Sequence, residues 1–188
     1  NVIFDTSQPH ANTLFSDMFA WLDLVLEKAR SHPDTLFVIR AHPDESRPGK
    51  ASRESVAGWI SKSGANQLPN VVFISPDEYV SSYEMIQRAK FVMVYNSTIG
   101  LEASILGAAV LSAGKARYTQ YPIVFFPESQ VEYFHMLDEF LEADKVNALP
   151  MHRHQARRFM YYQLFRTSLP FDTFLDATEQ RGYVRLAR

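Results

Sequence analysis

The chain has 188 residues, 19 Lys and Arg against 21 Asp and Glu, a formal net charge of −2 and no cysteine. That length fits one domain, and 46% hydrophobic with 21% charged residues excludes disorder, collagen and coiled coil. The missing cysteines exclude a disulfide framework and a thiolate metal site, a pI near 6.3 argues against a general nucleic-acid binder, and no apolar run reaches the roughly 20 residues of a spanning helix.

Five short apolar runs recur in the first two thirds of the chain: Val2–Phe4, Leu36–Ile39, Val71–Ile74, Phe91–Val94 and Ala109–Leu111. They are rich in Val, Ile and Phe and lack strict alternation, the pattern of strands buried on both faces of a parallel sheet. Helical spacing fills the gaps. Phe15, Met18, Phe19, Leu22, Val25, Leu26 and Ala29 mark a first helix with Ser16 placed to cap it. Ser52, Ser55, Val56, Trp59 and Ile60 mark a second, Tyr83–Ala89 a third, and Gly100–Leu106 a fourth that Gly107 stops. The alternation of strand and helix predicts right-handed crossovers: an α/β fold, a Rossmann-like doubly wound parallel sheet of about five strands. After Leu111 a loop with Gly114, Tyr118, Tyr121 and Pro122 leads to helical patterns at Val131–Ala143 and Met151–Ser168, a helical C-terminal extension. The chain begins at Asn1 with no signal peptide, as expected of a cytoplasmic piece of a longer protein.

Open α/β sheets bind ligands beyond the carboxyl ends of their strands, near the point where strand order reverses. That rule selects the turns opening at Asp5, Arg40, Ser75, Tyr95 and Ser112. In Arg40-Ala41-His42-Pro43-Asp44-Glu45, Pro43 holds His42 extended, so that its Nε2–H is presented to a phosphate oxygen or a leaving group. A solvated turn with no role is the competing account, and Arg40 either adds positive potential or pairs with Asp44 or Glu45. In Tyr95-Asn96-Ser97-Thr98-Ile99-Gly100-Leu101-Glu102 two hydroxyls precede a helix start, where amides and the helix dipole favour an anion. Gly100 there lets a ligand approach the backbone, and Glu102 is placed to accept from ribose hydroxyls. An ordinary Ser/Thr cap fits the same residues. Asp5-Thr6-Ser7 lies beside the switch point if the strand order is 3-2-1-4-5. Several polar turns on one rim together favour a phosphate-bearing ligand.

Other chemistries lack their motifs. No G-x-G-x-x-G follows a strand, neither Gly49-Lys50-Ala51 nor Gly114-Lys115-Ala116 makes a P-loop, and no H-E-x-x-H or G-x-S-x-G is present. His152-Arg153-His154 is a poor metal pair beside its arginines, so no metal is expected. From Val146 to Phe171 there is no acidic residue, while Arg153, Arg157, Arg158 and Arg166 accompany Phe159, Tyr161, Tyr162 and Phe165. Such a helix either docks on an anionic membrane or a partner, or packs its aromatics on the core with its arginines in water.

Taken together, Phe4-Asp5-Thr6-Ser7, Trp21-Leu22, Val38–Glu45, Asn70–Asp77, Val94–Ala103, Gly114–Tyr118 and Arg157–Tyr162 resemble, in order and spacing, the C-terminal, donor-binding half of GT-B glycosyltransferases. The resemblance is to bacterial capsule polysaccharide proteins related to Kdo transferases, and it covers most of the chain. It implies a transferase that binds a CMP- or UDP-linked sugar as substrate and needs no other cofactor. By that resemblance His42 is the catalytic residue, with Ser97 and Thr98 also on phosphate, and Glu102 lies on ribose. Arg40, Ser75, Asn96 and Gly100 complete the nucleotide-sugar site, with Ser75–Glu78 near the base. It divides the chain into a Rossmann-like nucleotide-sugar-binding domain, 1–150, and an extension, 151–188. The polysaccharide or lipid-linked acceptor belongs to a further N-terminal domain, nucleic acid is not a partner, and contact with the inner membrane is at most peripheral. A sugar-nucleotide epimerase on the same architecture and a non-catalytic interaction module are the alternatives.

Overall fold

The computed structural model describes residues 8–46, 54–167, 171, 173–180 and 183–187. The expected strand Val2–Phe4, the turn Asp5-Thr6-Ser7 and the helix-starting Ser52 lie outside them.

After a single turn, α1 (Gln8–Ala11), comes α2 (Met18–Ser31). The cap of α2 is Asp17 rather than the neighbouring Ser16: one carboxylate oxygen accepts from the amides of Phe19 and Ala20, both at 2.8 Å. A carboxylate suits the positive helix end better than a hydroxyl. The i, i+3, i+4 spacing of Met18, Trp21, Leu22, Val25, Leu26 and Ala29 buries one face of α2. Against it pack Val56, Trp59 and Ile60 of α3 (Val56–Ser63), Tyr133, Leu137 and Leu141 of α6 (Gln130–Glu142), and strand residues Phe37, Val71 and Leu111. Each fully buried large side chain contributes roughly 1.5–3 kcal/mol.

Polar groups in this core are paired. The Trp21 indole donates to the Tyr133 hydroxyl at 2.7 Å, and the Trp59 indole donates to Asp23 at 2.7 Å. Asn70, buried, donates to the carbonyls of Ala29, His32 and Thr35, which closes the end of α2 onto the strand that follows it. Lys28 of α2 pairs with Asp138 of α6.

Strand β1 (Phe37–Arg40) runs parallel to β2 (Val71–Ile74), with Phe37 opposite Val71 and Arg40 opposite Ile74. Strand β3 (Val92–Val94) runs parallel to β4 (Val110–Ser112), with Val94 opposite Ser112, and Phe125 adds a parallel bridge at Leu111. The described residues therefore form two parallel pairs and not one sheet of about five strands. Both pairs are neighbours in the expected order 3-2-1-4-5, and the run expected between them, Val2–Phe4, lies outside the described residues.

Helices α4 (Ser82–Arg88) and α5 (Ile99–Leu106) follow β2 and β3. Gly107, at φ 96°, ends α5 in the left-handed conformation that glycine adopts without strain. The chain divides after Ala156 into two compact units. Helix α7 (Pro150–Phe165) begins in the first. Of α7, His152 and Ala156 are buried, and Tyr161, Tyr162, Leu164 and Phe165 are exposed. Beyond α7 the expected all-helical extension gives way to an antiparallel pair, β5 (Leu175–Ala177) with β6 (Val184–Leu186).

Candidate active site

Parallel pairing puts the carboxyl ends of β1 and β2 on one edge, and likewise those of β3 and β4. Arg40 ends β1, His42, Ser75 and Asn96–Thr98 lie on the turns at these edges, and Gly100 and Glu102 lie in the first turn of α5.

At the end of β1, His42 is extended (φ −75°, ψ 134°) ahead of a 3₁₀ turn, Pro43–Glu45, as the following proline requires. Its Nδ1 accepts the Asp44 amide at 3.0 Å. A neutral imidazole that accepts at Nδ1 carries its proton on Nε2, so the turn itself selects the donor tautomer. Glu45 anchors the same turn: its Oε2 accepts the Val56 amide at the start of α3, its Oε1 is buried without a partner, and burial raises its pKa. Arg40 forms no ion pair with Asp44 or Glu45. Its guanidinium donates to the Ser82 hydroxyl while Nε stays buried and unpartnered. Arg40 ends a strand, and the direction of that strand carries its side chain toward α4.

After β2, Ser75 opens a tight turn in which its amide donates to the Glu78 carboxylate at 2.7 Å, with Glu78 N–H returned to the Ser75 carbonyl. After β3 the turn Tyr95–Thr98 leads into α5. Tyr95 is buried beside Trp21, its hydroxyl donates to Asn12, and burial raises its pKa to about 12. Asn96 and Ser97 are half-buried and Thr98 is exposed.

Ser55, Ser81 and Ser129 cap α3, α4 and α6 by accepting an amide, as Asp17 caps α2. Thr98 is different: it is already helical (φ −60°, ψ −22°) and makes no side-chain capping bond. Ser97 Oγ accepts the Ile99 amide at 3.4 Å, the same length as the Ser81 cap of α4. The ordinary-cap account of this Ser/Thr pair therefore fails for Thr98. The helix start is not a row of open amides either, because the Gly100 and Leu101 amides bond the carbonyls of Ser97 and Thr98.

A Cβ at Gly100 would lie 2.5 Å from the Tyr118 hydroxyl and 3.0 Å from Val94 Cγ2, so Tyr118 packs directly on this glycine. Glu102 is held as well. Its Oε2 accepts the hydroxyl of Tyr83 at 2.5 Å, and that hydrogen bond, together with the negative charge, raises the Tyr83 pKa. Neither Tyr83 nor Tyr118 was marked as a site residue by the sequence. The aromatic in a Gly- and Pro-rich loop was the available sign for Tyr118.

Ser82 and Tyr83, adjacent at the start of α4, thus bond Arg40 from β1 and Glu102 from α5. The start of α4 therefore touches β1 two residues before His42 and α5 one turn beyond Thr98. His152 and His154, in contrast, are separated: His152 is buried edge-on to Phe125, while His154 is exposed. Among the described residues no group of three or more His, Asp or Glu could hold a metal ion. Also among the described residues, no helix is long and apolar enough to cross a membrane.

Comparison with known proteins gives three matches. A family described as "Capsule polysaccharide biosynthesis protein" matches residues 3–123. Protein FixF of Sinorhizobium fredii (strain NBRC 101917 / NGR234) is 32% identical over 108 residues, 57% of this chain. The chain spans about a quarter of that relative, 23% of its length. Among solved structures, a Thermosulfurimonas dismutans KpsC described as a beta Kdo 2,7 transferase is similar at 18% identity and a TM-score of 0.35. That match covers 76% of this chain and 57% of the KpsC chain.

Proposed function

The chain belongs to the capsule polysaccharide biosynthesis protein family, and on that premise we propose that it forms the nucleotide-sugar-binding half of a glycosyltransferase. The observation that carries the reading is the convergence at the start of α4, where Arg40 and Glu102 are held by consecutive residues. Beside it lie His42, which accepts at Nδ1, and Thr98, whose hydroxyl makes no capping bond, on turns at strand carboxyl ends, where α/β sheets bind nucleotides.

In this reading the bond between the sugar's anomeric carbon and the nucleotide phosphate oxygen breaks, and the electron pair leaves on the phosphate. His42 Nε2–H and the hydroxyls of Ser97 and Thr98 meet that charge, as preorganised donors whose cost of orientation is already met by folding. Arg40 adds positive potential behind them. Ser75 and Asn96 border the site, and Glu102, oriented by Tyr83, accepts from ribose. Gly100 serves the site through Tyr118. The acceptor hydroxyl forms the new bond and gives its proton to a base on the acceptor side, which in this reading is a separate domain binding a polysaccharide or lipid-linked acceptor.

Calorimetric titration with CMP, UDP and their sugar conjugates tests the proposal, repeated on Ser97→Ala and His42→Ala. Binding of one nucleotide, weakened about tenfold by each substitution, is the expected result. Binding unaffected by both substitutions would place the nucleotide elsewhere and refute it.

A further inference from the structure

Tyr118 lies in the loop after β4, 2% exposed, with its ring against Gly100 and its hydroxyl donated to the Ser97 carbonyl at 2.6 Å. The same carbonyl accepts the Gly100 amide at 3.1 Å, so it is held from two sides, by its own helix and by a side chain 21 residues further along the chain. We infer that Tyr118 is a positioning residue for phosphate: through the Ser97 carbonyl it sets where the Ser97 and Thr98 hydroxyls stand. The inference rests on the donor-site reading above and deepens it.

The other helices show what is unusual here. Asp17, Ser55, Ser81 and Ser129 immobilise their own helix starts by capping, which commits the side chain to the backbone. A hydroxyl that accepts an amide keeps its O–H for a ligand, with its orientation set by that bond. At α5 Ser97 Oγ accepts the Ile99 amide at 3.4 Å, Thr98 makes no capping bond, and the Tyr118 hydroxyl adds a tertiary hold. Gly100 belongs to the same device, since any larger residue would displace the hydroxyl that reaches Ser97. Burial raises the Tyr118 pKa, which keeps the hydroxyl a donor at any physiological pH. The loop that delivers it is itself braced, with the Tyr118 carbonyl accepting the Tyr121 amide and the Ala116 amide donating to Thr119.

The test compares the full chain with Tyr118→Phe, Ser97→Ala and the double variant, by calorimetry with CMP and UDP and with the matching nucleosides, alongside thermal unfolding. Tyr118→Phe keeps the ring and removes only the hydrogen bond. The expected result is a fivefold to tenfold loss of affinity for the nucleotide, of the order one hydrogen bond controls. The nucleoside, which lacks phosphate, loses nothing. In the double variant the second substitution costs much less than it does alone, because Tyr118 acts through the hydroxyl that Ser97→Ala removes. Gly100→Ala, pressing on the same hydroxyl from the other side, is the second variant and should show the same phosphate-selective loss if Tyr118→Phe does not fold. If Ser97→Ala weakens nucleotide binding while Tyr118→Phe leaves it unchanged, or weakens nucleotide and nucleoside alike, the inference is overturned and the donor site stands. If the wild-type chain binds neither nucleotide, or Ser97→Ala has no effect, both are overturned.

Discussion

Gly100→Ala offers the sharpest check on the packing of the α5 start. An added Cβ would stand 2.5 Å from the Tyr118 hydroxyl and 3.3 Å from its ring carbon, with Val94 Cγ2 at 3.0 Å on another side. Tyr118 is buried, so it cannot swing into water to make room. Overpacking of this kind costs roughly 1–3 kcal/mol, and loss of the Tyr118–Ser97 bond adds about 1 kcal/mol. Replacing glycine by alanine in a helix returns about 1 kcal/mol. The net expectation is a destabilisation of about 1–3 kcal/mol, or several degrees in Tm for a chain of this size. Two comparisons isolate the cause. Gly58→Ala in α3, where a Cβ would meet only the Ser55 hydroxyl at 3.2 Å, should be close to neutral. Gly100→Ala made in a Tyr118→Phe background should cost less than in the wild type, because the closest atom has gone. Urea unfolding reads all four variants. A Gly100→Ala chain as stable as the wild type would refute the packing described here.

Two further outcomes follow from the core. Tyr133→Phe leaves the buried Trp21 indole N–H without its acceptor and should cost about 1–3 kcal/mol in urea unfolding, whereas an unchanged midpoint would mean the bond is not made. His152 is buried, its Nδ1 has no partner, and burial lowers its pKa below the ordinary 6.5. The unfolded chain therefore takes up a proton near pH 6.5 that the folded chain refuses, so stability is full above that pH and is lost as pH falls from 6.5 toward the lowered value. His152→Leu should flatten this part of the stability–pH curve, and a slope identical to the wild type would contradict the assignment.

Much of the first unit was readable in the chain because its signals are local. The apolar runs at Leu36–Ile39, Val71–Ile74, Phe91–Val94 and Ala109–Leu111 match β1 to β4 within a residue, although exposed Val38 and Val72 mean that β1 and β2 are not buried on both faces as that composition suggested. Gly107 as a helix stop and His42 as an extended residue before proline depend only on neighbours, and both are observed. The choice between Ser16 and Asp17 as cap turns on a single-residue offset that periodicity does not resolve. What was not legible is long-range. Arg40 has two acidic residues close behind it in sequence, yet its partner Ser82 arrives 42 residues later. Tyr118 reads as a loop aromatic until the fold brings it onto Gly100. The three-residue strands β5 and β6 are too short to show alternation, so this antiparallel pair was not foreseen in an extension read as helical from Met151–Ser168.

The central claim is the position of the nucleotide site, and amide chemical-shift mapping measures it directly. The full chain, labelled with ¹⁵N, is titrated with CMP and with UDP. The account predicts that one of them shifts the amides of Ser97, Thr98 and Asp44 (the amide bonded to the His42 ring), with smaller shifts at Ser75 and Glu102. Saturable shifts confined to residues away from these turns, such as the exposed face of α6, would contradict it.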